Sequence, residues 1–599
     1  MKVQIAILDF GSQYTHLITR RIRQLGVLAR IYSPTVDLAE LKGVKGIILS
    51  GGPQSVHDDT AIKYNKDIFK LNIPVLGLCY GHQLISYHFN GQVKAGKVKE
   101  YGLATLNKAG KNILLDKFKD SEQVWMSHGD SVSKIPFGFK VIARTKDCTV
   151  AGMAHDELKL YGLQFHPEVH HTKNGLKILE NFLFKICHCE KNWSMEKYWQ
   201  QLVADIKKKV GNKNVFLLVS GGVDSSVCYA LLEKILGKKK VFGLHIDNGF
   251  MRLNESFKVK KDLAKAGFDD LEVVDASEKF LKKEKGVIEP EKKRKIIGKV
   301  FLDVKDEVMK EMKMDPKQWI LAQGTIYPDT IESGATKNAD KIKTHHNRVE
   351  QILKLMKLGA LIEPLAELYK DEVREIGQKL KLPASLINRH PFPGPGLAIR
   401  TLCSDGKEFV DNEKALNDGL NRIVGSKLEV KTLPLKSVGV QGDNRTYKNP
   451  ALISGNASWK ELNDLSVNIT NQFSEINRVV YLPNQKVDLD QIKTKKAHLT
   501  KERLDLLRKV DDLVHKEVEK NKLYKNIWQF PVILVPLTLN GGETIILRPV
   551  ESKEAMTVNF YQMSKTILNT LTKKILQIEG VDLVLYDITN KPPGTIEWE

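Results

Sequence analysis

The chain has 599 residues, 42% hydrophobic and 28% charged, which is ordinary for a folded globular protein and too long for a single core. With 93 Lys and Arg against 72 Asp and Glu, the net charge is +21. Lysine is spread along the chain rather than gathered in a patch with aromatic residues, which argues against a dedicated nucleic-acid function and suits small anionic substrates.

No apolar run reaches the roughly 18 residues that a membrane span needs. Six scattered cysteines do not form a disulfide scaffold, so a reducing cytoplasm is expected. "MKVQIAILDF" reads as a buried strand ended by Asp9, not as a signal peptide.

From residue 1 to about 192, short apolar runs alternate with amphipathic segments. "GIILSGGP" (46–53) and "PVLGLCYG" (74–81) read as strands ending in glycine turns, the rhythm of an α/β domain with a mainly parallel sheet. In the second run Cys79 stands between Gly77 and Gly81, a spacing that permits a tight strand-to-helix turn presenting a nucleophile. The helix N-terminus there favours a thiolate. "LYGLQFHPEVH" (160–170) puts His166 and Glu168 two apart, on one face if that strand continues, as a base and the carboxylate that orients it. Gly51 and Gly52 offer backbone N–H groups for an oxyanion. Together these point to acyl transfer through a thiol. Cys187-His188-Cys189 has no second ligand pair nearby and reads as a coincidence at the end of the domain.

A second α/β pattern runs over 193–400: a strand at 215–219, a helix from about 225 and a strand at 241–249. The loop Ser220, Gly221, Gly222, Val223, Asp224, Ser225, Ser226 directs backbone N–H groups, hydroxyls and a helix N-terminus at one point, which makes an anion nest. It lacks the lysine of a P-loop, so it suits a grip on the β and γ phosphates while chemistry proceeds at the α-phosphate. Asp224 either binds Mg²⁺ or caps the helix. The stretch "RHPFPGPGLAIR" (389–400) marks the next boundary. The tail, 401–599, twice shows strand, strand, amphipathic helix, strand, read either as an internal duplication or as two unrelated units. The expected fold is therefore α/β: two doubly wound, mainly parallel domains followed by an α+β domain, duplicated on the first of those two readings.

Residues 1–190 resemble the class I glutamine amidotransferases on Cys79, His166 and Glu168. That resemblance implies glutamine contacts at Gln83, His128 and Asp130. The loop at 220–226 resembles that of the N-type ATP pyrophosphatases. With "HIDNGFMR" (245–252), "LAQGTIYPDTIES" (321–333), "KTHHNRV" (343–349), "EPLAELYKDEVR" (363–374) and the terminal "DITNKPPGTIEWE", nearly the whole chain is similar to the glutamine-hydrolysing GMP synthetase family. The resemblance implies adenylation of XMP by ATP with Mg²⁺, then displacement of AMP by ammonia to give GMP. It also implies XMP contacts at Arg294, Asp443, Gln529, Lys591 and Glu597. An enzyme resembling the NAD or asparagine synthetases would need a different amidotransferase domain or a different tail. Short family members pair two subunits through one C-terminal module. A second copy on this chain would mimic the partner, which leaves monomer and homodimer both open. The lysine-rich stretches 277–299 and 337–347 are lid candidates.

Overall fold

The parallel strands form where short runs carry no charged residue: Ile5–Leu8, Gly46–Leu49, Val75–Leu78 and Leu160–Leu163 are buried at every position. The computed structural model describes residues 1–12, 14–58, 61–315, 317–332, 360–390, 392–441, 444–552 and 558–599. They form two compact units, Met1–Gly211 with Gly324–Ile376 and Asn212–Gln323 with Gly377–Glu599, a division by packing rather than by chemistry.

In the first unit nine strands form one sheet. They are β1 (Ile5–Leu8), β2 (Ala29–Tyr32), β3 (Gly46–Leu49), β4 (Val75–Leu78), β5 (Gln92–Lys108), β6 (Ser121–Lys134), β7 (Lys140–Arg144), β8 (Gly152–His155) and β9 (Leu160–Leu163). Their order is β2-β1-β3-β4-β9-β8-β7-β5-β6. The first five are parallel and the rest antiparallel. Alternate residues feed opposite faces. Ile5, Ile7, Ile48 and Leu76 join Ile18 and Ile22 of helix α1 (Thr15–Gln24). Ala6, Leu8, Ile47 and Val75 join Leu84 and Ile85 of helix α2 (Tyr80–His88). Helices on both faces make this half doubly wound, as expected. Helix α3 (Met195–Val210) belongs to the same unit and buries Tyr198, Leu202, Ile206 and Val210.

The second unit begins with parallel strands β10 (Asn214–Leu218), β11 (Val241–Asp247), β12 (Glu272–Asp275) and β13 (Trp319–Ala322), in the order β12-β11-β10-β13. Chain direction across the sheet reverses beside β10, the position where open α/β sheets hold ligands. Helix α4 (Val223–Leu236) leaves from the end of β10, and helix α5 (Pro290–Glu311) follows β12.

The tail forms a seven-stranded sheet: β14 (Glu429–Thr432), β15 (Ser437–Gln441), β16 (Asn444–Ser454), β17 (Ile476–Leu482), β18 (Val532–Val535), β19 (Glu543–Leu547) and β20 (Val581–Asp587). The order β14-β16-β17-β20-β19-β18 is palindromic in type. An outer antiparallel pair leads to a parallel pair on each side, and β17 and β20 meet antiparallel at the centre. Helix α6 (Trp459–Gln472) connects β16 to β17, and helix α8 (Lys565–Leu576) connects β19 to β20. Helix α7 (Lys501–Lys520) lies between the halves in sequence. In each half an outer strand, β14 or β18, precedes the segment that the sequence reading takes as the start of its repeated pattern. Val479 and Val584 feed one core shared with Phe216, Leu244 and Ile297, while Val480 and Leu585 feed another with Trp598. No helix among the described residues is long and apolar enough to cross a membrane.

Candidate active sites

Cys79 lies between β4 and α2 with φ of 52°, a left-handed conformation that non-glycine residues adopt at a cost, here at a sharp turn. The turn needs both glycines. A Cβ on Gly77 would stand 2.3 Å from Gly81 O, and one on Gly81 would stand 2.4 Å from Leu49 O. The Cys79 thiol donates to Ser127 O at 3.4 Å, receives Gln164 Nε2 at 3.7 Å and is hydrogen-bonded to His166.

His166 and Glu168 meet as expected, with Nδ1 and Oε1 2.7 Å apart and both side chains buried. The local reason differs from the expectation: β9 ends at Leu163, so the pair sits on a turn and not on a strand. That turn is fixed by His166 N donating to Trp125 O at 3.1 Å and Thr172 Oγ1 donating to His166 O at 2.6 Å. Burial opposes charge on the imidazole, but the Glu168 carboxylate and the Cys79 sulfur outweigh it and raise His166 to about 10. The Tyr14 ring lies 4.8 Å from the imidazole, and Arg21 Nε holds Glu168 O at 2.9 Å.

Gly51 stands against the imidazole of this centre, and Gly52 faces Phe10 and Tyr80, the residue after Cys79. A Cβ on Gly51 would be 3.4 Å from His166 Cε1, and one on Gly52 would be 3.4 Å from Tyr80 Cγ. Gln83 Nε2 donates to Asp130 O at 2.8 Å and to Gln164 Oε1 at 3.2 Å. The Asp130 carboxylate accepts Ser55 Oγ at 2.6 Å. The His128 ring joins Asp130 O through Nδ1 at 3.0 Å and Glu100 Oε2 through Nε2 at 3.0 Å. With Cys148 these two side chains form the cluster of metal-ligand type found among the described residues. Cys187 and Cys189 lie outside it, buried and hydrogen-bonded to each other.

In the second unit Gly222 caps α4 without a side-chain bond, so Asp224 is a first-turn acid and not the cap. Ser220 Oγ and Ser225 Oγ are 2.9 Å apart, and Ser225 Oγ donates to Gly222 O at 3.2 Å. Ser226 Oγ is buried with no hydrogen-bond partner among the described residues. Val223 is buried beneath the loop. Gly221 has φ of +80°, and its carbonyl accepts Arg389 Nη1 at 2.6 Å. Arg389 also pairs with Glu255, and burial lowers its guanidinium to about 10.

The tail residues divide. Gln529 bridges to Val550, Val550 pairs with Phe560, and Val558, two residues before Phe560, bridges to Lys591. The Glu597 carboxylate is held by Arg400, whose Nε and Nη2 donate at 2.9 and 2.7 Å. Arg294 Nη2 donates to Glu599 O, and Nε lies 3.6 Å from Glu291. Asp443 and the stretch 337–347 lie outside the described residues.

Sequence reading missed Gln164, Arg389 and Arg400. Gln164 could have been found two positions before His166, whereas the two arginines sit in a segment read only as a boundary.

Comparison with known proteins matches residues 6–186 to class I glutamine amidotransferases, 195–293 to NAD synthase and 516–598 to the GMP synthase C-terminal domain. A probable glutamine-hydrolysing GMP synthase of Leptospira interrogans is 44% identical over 603 residues, covering 100% of this chain and 99% of that protein. The GMP synthase of Dictyostelium discoideum is 38% identical over 675 residues, covering 99% and 94%, and that of Brachyspira hyodysenteriae is 38% identical over 608, covering 100% and 99%. With relatives matched from end to end across both sites, the chain belongs to the glutamine-hydrolysing GMP synthase family.

Proposed function

We propose that the chain makes GMP from XMP, ATP and glutamine, with glutamine hydrolysis in 1–192, adenylation in 193–400 and XMP recognition completed by 401–599. The observation that carries this reading is the pairing, on one chain, of a Cys79–His166–Glu168 turn with a lysine-free phosphate loop and a tail that matches the GMP synthase C-terminal domain. The NAD synthase match stops at residue 293 and is accounted for by a shared adenylating fold.

In the first site Cys79 attacks the glutamine carboxamide carbon. Gly51 and Gly52 N–H hold the oxyanion, and His166 gives its proton to the leaving nitrogen, releasing ammonia. Water, deprotonated by His166, then cleaves the thioester to glutamate and restores the thiol. Gln83 and Asp130 orient the glutamine. His128 supports Asp130 through its carbonyl.

In the second site residues 220–226 hold the β and γ phosphates while the XMP C2 oxygen attacks the α-phosphorus and pyrophosphate leaves. Ammonia then adds at C2 and AMP departs. Arg294, Gln529, Lys591 and Glu597 orient XMP, with Arg400 fixing the last of these. Asp224 and the neighbouring serines are hard oxygen donors of the kind Mg²⁺ takes, and the ion would neutralise charge on the departing pyrophosphate. Two like halves in one tail support a monomer. The absence of a disulfide among the described cysteines supports a cytosolic site. Release of AMP and pyrophosphate from ATP plus glutamine, measured with and without XMP, tests the assignment. Release that XMP does not stimulate overturns it.

A further inference from the structure

We infer that Lys293 is a positioning residue for XMP, because its ammonium ties the helix and the tail that carry the candidate contacts Arg294, Lys591 and Glu597 to the turn whose Arg400 holds Glu597. The inference rests on the XMP site proposed above. Lys293 precedes Arg294 on α5 and is 0% exposed. Its Nζ donates to Glu599 Oε2 at 2.8 Å and Oε1 at 3.0 Å, and to Thr401 O at 3.1 Å, with Ala398 O at 3.4 Å. Thr401 follows Arg400, the residue that grips Glu597. One buried cation therefore joins the helix bearing Arg294, the turn bearing Arg400 and the tail bearing Glu597.

A buried ammonium persists only when its charge and its donors are matched, and Lys293 meets that requirement with one carboxylate and two carbonyls. Removing it does more than delete a bond. Glu284 is also 0% exposed, and neither of its carboxylate oxygens has a hydrogen-bond partner among the described residues. Burial raises its carboxyl to about 7, Lys293 opposes that rise, and Glu599 adds to it. Without the ammonium, the buried Glu284 carboxyl loses the cation that opposes its rise, and Glu599 keeps only the weaker influence of Arg294 and Arg503, so the cheapest relief is withdrawal of the tail to solvent. Glu597 lies two residues from Glu599 and Lys591 a few residues further back, so the displacement falls on XMP. The phosphate loop at 220–226 shares none of these bonds.

Three full-length variants test this: Lys293→Met, Glu599→Gln and the two combined, with Arg294→Ala in parallel, all assayed with ammonium as nitrogen donor. We expect KM for XMP to rise about 10- to 100-fold in both single variants, as a displacement near 1 Å allows, with KM for ATP unchanged. The combined variant should be no worse than the worse single one, because both remove the same tie. Glu599→Gln keeps shape and volume, so it reports even if Lys293→Met fails to fold. A lowered kcat with parental KM for XMP indicates a merely structural role and overturns the inference, as does a parental KM in Glu599→Gln. If Arg294→Ala also leaves KM for XMP unchanged, the XMP site itself is wrong. If Arg294→Ala raises KM and Glu599→Gln does not, only the role of Lys293 fails.

Discussion

Replacing Gly52 by Ala perturbs the proposed oxyanion donors without removing any atom that bonds glutamine. Gly52 does not occupy the left-handed region, so alanine meets no backbone penalty there. Its Cβ would stand 2.5 Å from Phe10 O and 3.4 Å from Tyr80 Cγ. Phe10 cannot swing aside, because its N–H donates to Ser50 Oγ at 2.9 Å and its ring is fully buried. Gly52 must therefore retreat from 2.5 Å to ordinary contact at 3.4 Å, a shift of about 0.9 Å. Oxyanion donors work at about 2.7–3.1 Å, so such a shift removes one of them, at a cost of about 100- to 1000-fold in kcat, or ~3–4 kcal/mol. Overpacking should lower stability by ~1–3 kcal/mol. The assay compares glutamate release with ammonium-dependent GMP formation on one preparation. We expect the first to collapse and the second to stay parental. Parental glutamate release from a variant that carries the added methyl would refute the placement of the donors.

Cys79→Ala should reduce glutamine-dependent GMP formation by about 10⁴-fold or more while ammonium still supports the parental rate; loss of both contradicts two separable sites. His166 is raised from 6.5 to about 10, so its pairing contributes stability fully present below pH 6.5 and lost as pH rises through 10. The thermal midpoint of the parent should exceed that of His166→Gln at pH 6.5 and converge on it near pH 10; a gap that widens with pH reverses the sign and refutes the ion pair. Arg389→Met removes a charged hydrogen bond worth ~1.5–3 kcal/mol and should raise KM for ATP about 10- to 100-fold, read by pyrophosphate release; an unchanged KM rules out its hold on the loop. Sedimentation at micromolar concentration should give a monomer, and a stable dimer would contradict the view that the two halves of the tail satisfy each other.

Local features were legible because short-range sterics dictate them. Cys79 between Gly77 and Gly81 was readable since only glycine tolerates the contacts at 2.3 and 2.4 Å that the turn imposes. The His166–Glu168 pair was readable from spacing, although the spacing argument assumed a strand where the chain makes a turn. Asp224 was left between two roles because a cap depends on the φ and ψ of the preceding residues, and Gly222 took that position. Pairings across long separations left no local trace. Arg400–Glu597, Lys293–Glu599 and the buried group of Arg478, Arg548 and Asp587 join residues whose neighbours in sequence say nothing of the partner. The repeated order of elements in the tail was visible, but the matching pattern of strand pairing was not, since strand pairing is a property of the sheet and not of either segment.

The absence of a lysine in the loop at 220–226 and the presence of Arg389 behind it have one explanation. A lysine at the γ-phosphate assists cleavage between β and γ, whereas in the proposed reaction pyrophosphate leaves whole and charge develops at the bond to the α-phosphorus. Donors are needed along the departing group, and backbone N–H groups at a helix N-terminus supply them. Such donors must point inward. In a planar trans peptide the carbonyl and the N–H point in opposite directions, so anchoring Gly221 O also aims the N–H of Gly222. Arg389 provides that anchor at 2.6 Å, and the φ of +80° at Gly221 turns the peptide to meet it. In the proposed site the cation would act from behind the loop, orienting the donors and stabilising the nest against an incoming anion while leaving the phosphate side to backbone, hydroxyls and the helix. An arginine suits that role better than a lysine, because its planar fork can hold the Gly221 carbonyl and the Glu255 carboxylate at once.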